Sequence, residues 1–271
     1  MNIETYIKTD FCNRFEYIKS FIDSLILIIK DFNDNELSKN KTIQKTKNLM
    51  IYLDRIDKDL YLEDKLKELY PVPVITKMQD FDFDINKHKM KDYWILDTFT
   101  NEDSIINFTN LTLMYNNYPF MSLIFNHYNK NIIVSVRLLG TFRITNFNEY
   151  SGMEKKSELL DIIISEKIAD MKTQKLENFL DNFNENIYVI GNYEDVLVNM
   201  LNDCYCCGIL DNIPIFNLVC YYNIFKTLNY EILDQDYNQL NFNNIENLNY
   251  IIISQFKDIV SLKLNNLTVE V

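Results

Sequence analysis

Apolar positions recur at helical spacing through the first quarter of the chain and then change to strand spacing. Phe11, Phe15, Ile18, Ile22, Leu25, Ile29 and Phe32 follow one another at intervals of four and three. That spacing places them on one stripe of a helix over residues 2–33. A polar stretch, 33–40, follows. Leu49, Leu53, Ile56, Leu60 and Leu66 then mark a second helix over about 42–69. Tyr70-Pro71-Val72-Pro73 ends it, because proline cannot continue a helix and restricts the residue before it. The simplest arrangement is an antiparallel, coiled-coil-like helical hairpin. Its apolar seam must be covered by the rest of the chain, by self-association or by a protein partner. Phe15, Ile22 and Ile29 are the residues expected to carry such an interaction.

Past the prolines the period shortens. Val72–Ile75, Phe81–Ile85 and Tyr93–Leu96 read as extended. Between Ile105 and Phe147, runs rich in β-branched and aromatic residues are separated at Asn116-Asn117 and at Asn129-Lys130-Asn131, the signature of an antiparallel meander. Leu111/Leu113 and Val134/Val136 alternate with Thr112 and Ser135, so one face is buried. Gly140 is expected to mark a bulge or bend in a long third strand.

Ser151-Gly-Met-Glu154 has the form of a capping box and predicts a helix to about 183. Ile187–Ile190 reads as a buried strand. Asn192 is expected to cap a helix over 193–207, closed by Gly208. Asp211-Asn-Ile-Pro214 opens an almost wholly apolar helix to about 229. An Asn-rich loop (232–248) and strands at 250–254, 259–264 and 267–271 complete the chain. The fold class expected is α+β: a helical hairpin (1–70), a mostly antiparallel β-rich segment (71–151) and a helix-rich acidic part with terminal strands (152–271). Residues 71–271 could form one domain.

Composition narrows the chemistry. Only four of 271 residues are glycine, about 1.5% against a usual share of roughly 7%. Neither G-x-G-x-x-G nor a Walker A loop can be written, and no cofactor-binding residues are assigned. The net charge is −12, and residues 152–271, with 8 Lys/Arg and 18 Asp/Glu, carry −10 of it. Phosphate-backbone binding needs clustered positive charge, so nucleic acid is not an expected partner of that part. Five cysteines, no signal-peptide pattern in residues 1–20 and no apolar run near the roughly 20 residues of a membrane span lead to the expectation of a soluble protein of the reducing cytoplasm, with no membrane partner. Heavy use of Asn and Ile suggests an AT-rich genome, viral or plasmid.

Asp80-Phe-Asp82-Phe-Asp84 is the sharpest chemical pattern. On an extended chain its carboxylates share one face. Asp82 and Asp84, with Asp97 as a third acid, are the candidate catalytic residues, and Asp82 and Asp84 the candidate ligands for Mg2+. A divergent nucleotidyltransferase-like enzyme would use them so; an inactive relative of such an enzyme, kept as a stimulatory subunit, is a further alternative. The usual Gly-Ser turn upstream is missing. Cys204 and Cys207 have C-x-x-C spacing but no second ligand pair. His88 and His127 stand far apart, leaving few players for acid–base chemistry. Lys87, Lys89 and Lys91 with Arg137 and Arg143 make a weak basic patch. By elimination, the sequence reads as a non-catalytic intracellular interaction protein or a subunit of a larger assembly.

Overall fold

The computed structural model describes residues 1–40, 60–76, 92–100, 106–154, 161–171, 174–181, 187–202, 205–211, 213–240 and 249–255. It divides into two compact units, Met1–Met153 and Glu154–Val271.

The first unit begins with α1 (Ile3–Lys8) and α2 (Phe11–Asn40). The Asn2 side chain caps α1 by accepting from the Thr5 N–H, and the chain is extended at Thr9 before α2 begins. Residues 60–69 are helical (α3); most of the predicted second helix lies outside the described residues. A seven-stranded sheet follows in sequence order: β1 (Val74–Thr76), β2 (Asp92–Thr100), β3 (Ile106–Tyr115), β4 (Tyr118–Asn126), β5 (Ile132–Val136), β6 (Gly140–Thr145) and β7 (Glu149–Met153). Every neighbouring pair is antiparallel except β1 with β2, which is parallel.

The predicted meander is therefore present, with one more turn than expected. Positive φ at both Asn116 and Asn117 makes the tight turn that matches strand twist. The long third strand is two strands, β5 and β6. They are joined through Leu138 (φ 67°), and Gly140 (φ 127°) opens β6 instead of forming a bulge within a continuous strand. Ser151-Gly-Met belongs to β7, not to a helix cap.

One sheet face and α2 share a single core. Ile18, Ile22, Leu25, Ile29 and Phe32 pack with Trp94, Leu96, Leu111, Leu123 and Val134. Phe21 stacks on Trp94 with ring centres 6.4 Å apart. Ile22 and Ile29 are fully buried, and Phe15 rests on Phe142 and Tyr150. The seam is covered by the chain's own sheet. Phe11 alone of the stripe is exposed, at 65%. The other face of the sheet is also buried and mixes apolar Tyr93, Ile95, Ile124 and Ile133 with polar Asp97, Asn110, Thr112, Ser122, Ser135 and Thr141. Thr112 and Ser122 hydroxyls meet there at 3.2 Å.

The second unit runs β8 (Ile162–Ser165), α4 (Glu166–Asp170), α5 (Gln174–Asp181), β9 (Ile187–Ile190), α6 (Tyr193–Asn202), β10 (Cys207–Asp211), α7 (Ile215–Thr227), β11 (Glu231–Asp234) and β12 (Tyr250–Ser254). The strands form a five-stranded sheet in the order β11-β12-β10-β8-β9. β8 is parallel to both β9 and β10, while β12 is antiparallel to β10 and β11.

The single helix predicted over 151–183 is replaced by β7, β8, α4 and α5. Ile162-Ile-Ile is a β-branched run buried on both faces, which favours a strand although its outer residues also fit a helical period. Asn192 does cap α6: its Oδ1 accepts from the N–H groups of Glu194 and Asp195, and the Asp195 carboxylate accepts from Asn192 N–H. That helix ends at Asn202, and Gly208 lies inside β10. A Cβ at Gly208 would fall 2.1 Å from Met200 Sδ, so its absence lets α6 seat on the strand. The α7 prediction holds. The class is α+β, as expected. Among the described residues no helix is long and apolar enough to cross a membrane.

Candidate functional site

In the second unit the crossovers leave the carboxyl ends of β8 and β10 in opposite directions. The chain after β8 passes through α4 and α5 to β9 on one side. The chain after β10 passes through α7 to β11 on the other. Between two such strand ends a sheet of this kind opens a crevice, and ligands bind there. Ser165 ends β8 and Asp211 ends β10, so both stand at that point.

The local sequence builds the cluster from one turn. Ser165 leaves the strand in an extended conformation and caps α4, its hydroxyl accepting from Ile168 N–H. The same hydroxyl donates to Asp211 Oδ1 at 2.6 Å. Lys167, two residues on, reaches Asp211 Oδ2 at 3.0 Å. Glu166 N–H donates to the Gly191 carbonyl and ties this turn to the end of β9. Burial pushes the Asp211 pKa up, but the Ser165 hydrogen bond and the Lys167 ammonium outweigh it, and the carboxyl is held below its ordinary value. The carboxylate is therefore a stable anion. Nearby, Asn217 in the first turn of α7 donates to the Tyr193 hydroxyl at 3.1 Å.

In the first unit the carboxylate of interest is Asp97. It lies on β2 just past the residues paired with β1, opposite Asn110 of β3, and is 1% exposed. Buried Thr76 ends β1 and pairs with Leu96, so its side chain is on the α2-facing side of the sheet, away from Asp97. The β1–β2 pair, the one parallel pair of this sheet, ends at Thr76 and Leu96, so Asp97 lies within β2 just past the carboxyl end of β1.

Asp80, Asp82 and Asp84 lie outside the described residues, as do Lys87, His88, Lys89, Lys91 and Cys204. Cys206 and Cys207 are not at a helix end. They enter β10 and are buried, and burial raises the Cys207 thiol pKa far above its ordinary value, which makes it an apolar filler. His127 is half-buried and rests against Phe32 and Phe125 of the α2-facing core, with Nε2 at 2.8 Å from Thr109 Oγ1 and its ring 4.4 Å from Phe125. Arg137 stacks over the Tyr118 ring. Among the described residues no group of three His, Cys, Asp or Glu could hold a metal ion.

The sequence reading missed Ser165, Lys167 and Asp211. It placed Ser165 inside a long helix and Asp211 at the start of another. The available signals were an isoleucine run ending in serine and an apolar run ending in aspartate shortly before Pro214, each a strand leading to a cap.

No known protein-family model matches the chain, and no curated protein is similar to it in sequence. Solved structures are similar in fold. An inositol monophosphatase II from Staphylococcus aureus MSSA476 superposes with a TM-score of 0.65 at 12% identity, covering 94% of each chain. CysQ from Bacteroides thetaiotaomicron, a bacterial member of the inositol monophosphatase family, gives 0.60 at 12% identity over 89% of this chain and 99% of that one. An IMPase/NADP phosphatase in complex with Mg2+ and phosphate gives 0.60 at 16% identity over 94% and 96%.

The fold is thus that of inositol monophosphatase-like enzymes. This corrects the reading of the chain as a non-catalytic interaction protein or assembly subunit, and with it the nucleotidyltransferase alternative. The protein-interaction and viral readings are corrected with it, since the structures of similar fold are enzymes of the inositol monophosphatase family. The physical reason for the first error is visible: the helical stripe taken as a docking surface faces its own sheet.

Proposed function

We propose that this chain hydrolyses phosphate monoesters of small hydroxylated molecules, the substrate class named for its structural neighbours. The observation that carries the proposal is the likeness of fold over 94% of both chains, shared with a phosphatase named for its complex with Mg2+ and phosphate. The reaction joins a water oxygen to phosphorus and breaks the P–O ester bond. The departing alkoxide takes up a proton.

The fit of Mg2+ differs between the units. Mg2+ typically takes one or two carboxylates, several waters and the substrate's phosphate oxygens rather than a full protein cage. In the first unit Asp97 suits that part, being a buried carboxylate one residue past the end of the β1–β2 pairing, with Asn110 of β3 opposite it. When bound there, the ion would supply charge neutralisation at the phosphoryl oxygens. Asp97 would hold it, and the surrounding buried face would limit water. In the second unit Asp211 has both oxygens engaged by Ser165 and Lys167 and does not fit a metal. The intracellular placement is also a proposal, supported by buried reduced thiols at Cys206, Cys207 and Cys220.

Purified protein should release orthophosphate from at least one member of a panel that includes inositol monophosphates and NADP, with Mg2+ present. A panel that yields none above a heat-treated control refutes the proposal.

A further inference from the structure

The phosphatase reading implies a cation at the carboxylates of the fold, and on that reading the second unit is anomalous. Asp211 ends β10 beside the carboxyl end of β8, the position at which sheets of this kind bind ligands. A metal needs several ligands, yet among the described residues no group of three His, Cys, Asp or Glu could hold one, and each Asp211 oxygen already accepts a hydrogen bond. Oδ1 takes the Ser165 hydroxyl at 2.6 Å and Oδ2 takes the Lys167 ammonium at 3.0 Å. Ser165 Oγ is itself committed, accepting from Ile168 N–H. An ammonium this close to the carboxylate also repels an incoming divalent ion.

We propose that Lys167 acts as a tethered counter-cation at Asp211, supplying the positive charge that a divalent ion would otherwise bring, so that the second unit takes no metal there. Two features beyond the ion pair support this. Ser165 and Lys167 come from one turn, the cap and the second residue of α4, so a single local structure aims both donors at one carboxylate. The Asp211 side chain is only 9% exposed while that of Lys167 is 58% exposed. The buried anion therefore depends on the lysine, whereas the lysine does not depend on it. Lysine suits the role as a compact point charge on a flexible stem. Asp211 is a positioning and charge-balancing residue on this account, and any metal dependence of the protein resides elsewhere.

The test uses the full chain and Mn2+ as the probe, followed by electron paramagnetic resonance of the free ion. Asp211→Asn, whose amide oxygen can still accept from Ser165, is expected to bind the same number of Mn2+ ions as wild type with the same affinity. Loss of one ion, or a tenfold weakening, would overturn the proposal. A second readout is the rate at which the buried thiols of Cys206 and Cys207 react with a thiol reagent. Lys167→Met leaves Asp211 unbalanced and should raise that rate about five- to thirtyfold, the range that one or two kcal/mol produces. Adding Asp211→Asn should return most of the protection. A Lys167→Met variant that reacts like wild type, or a double variant no better than the single, contradicts the pairing. Neither readout involves phosphate release, so a failure of the phosphatase reading would appear separately.

Discussion

Ile22→Ala is the sharpest test of where the apolar stripe of α2 belongs. Ile22 is fully buried in the core that also contains Trp94 and Leu96. Truncating a fully buried isoleucine to alanine costs about 2–5 kcal/mol, a transfer term plus a cavity term. Leu27 lies on the same helix but is 58% exposed, so Leu27→Ala should change stability by about 0.5 kcal/mol or less. The chain has one tryptophan, and it sits in this core, so its fluorescence reports the unit directly. With a urea slope of about 2 kcal/mol per molar, a loss of about 3 kcal/mol moves the Trp94 midpoint down by about 1.5 M, against about 0.25 M at most for Leu27→Ala. If Ile22→Ala unfolds within about 0.3 M of wild type, the stripe is not core and the packing described here is wrong.

Further expectations concern charge and caps. Because Asp211 is held below its ordinary carboxyl value of 3.8, it stabilises the fold above that pH, and the contribution fades as the pH falls through the folded-state value. The stability advantage of wild type over Asp211→Asn should therefore be full at neutral pH and vanish in acid; an advantage that grows in acid contradicts the assignment. Burial pushes the Tyr93 phenol up to about 12, and burial, partly opposed by Arg14, does the same to Tyr6. Their contribution is complete below pH 10 and is lost as the pH rises above it. Ultraviolet titration at pH 11 should leave a fraction of tyrosines protonated until urea is added, whereas complete ionisation of the folded protein would be inconsistent with this burial. Asn192→Ala removes the side-chain cap of α6 and should cost about 1 kcal/mol, read as faster amide exchange in the first turn of that helix, while an unchanged rate would deny the cap its role.

The β-meander was legible because turn chemistry and alternation agree there. Asn116-Asn117 adopts the two left-handed residues that the dipeptide suggests, and Leu111/Leu113 face the core while Thr112 faces the other side. The α2 stripe was legible as an element, but its partner was not, since spacing states which residues share a face and not what covers it. The β8 region was misread because Leu159, Leu160, Ile163, Ile164 and Ile168 satisfy a helical period, while the β-branched Ile162–Ile164 triplet pairs with β9 and β10. Such pairing is long-range and leaves no local mark. The Ser165–Lys167–Asp211 cluster was hidden for the same reason: its members are 46 residues apart at the widest hydrogen bond, and the topology alone brings them together. Asp97 was picked out as an acid after an apolar run; that it is buried, on the sheet face away from α2, could not be read from the sequence.

The most direct measurement is phosphorus NMR of an inositol monophosphate incubated with the purified chain and Mg2+, alongside the same sample with excess chelator and an Asp97→Asn sample of verified melting behaviour. The account predicts an orthophosphate resonance that grows with wild type and is suppressed at least a hundredfold by either change, the scale of losing electrostatic stabilisation of a transferring phosphoryl group. No orthophosphate from wild type across the phosphomonoester panel, or an undiminished rate from Asp97→Asn, would contradict it.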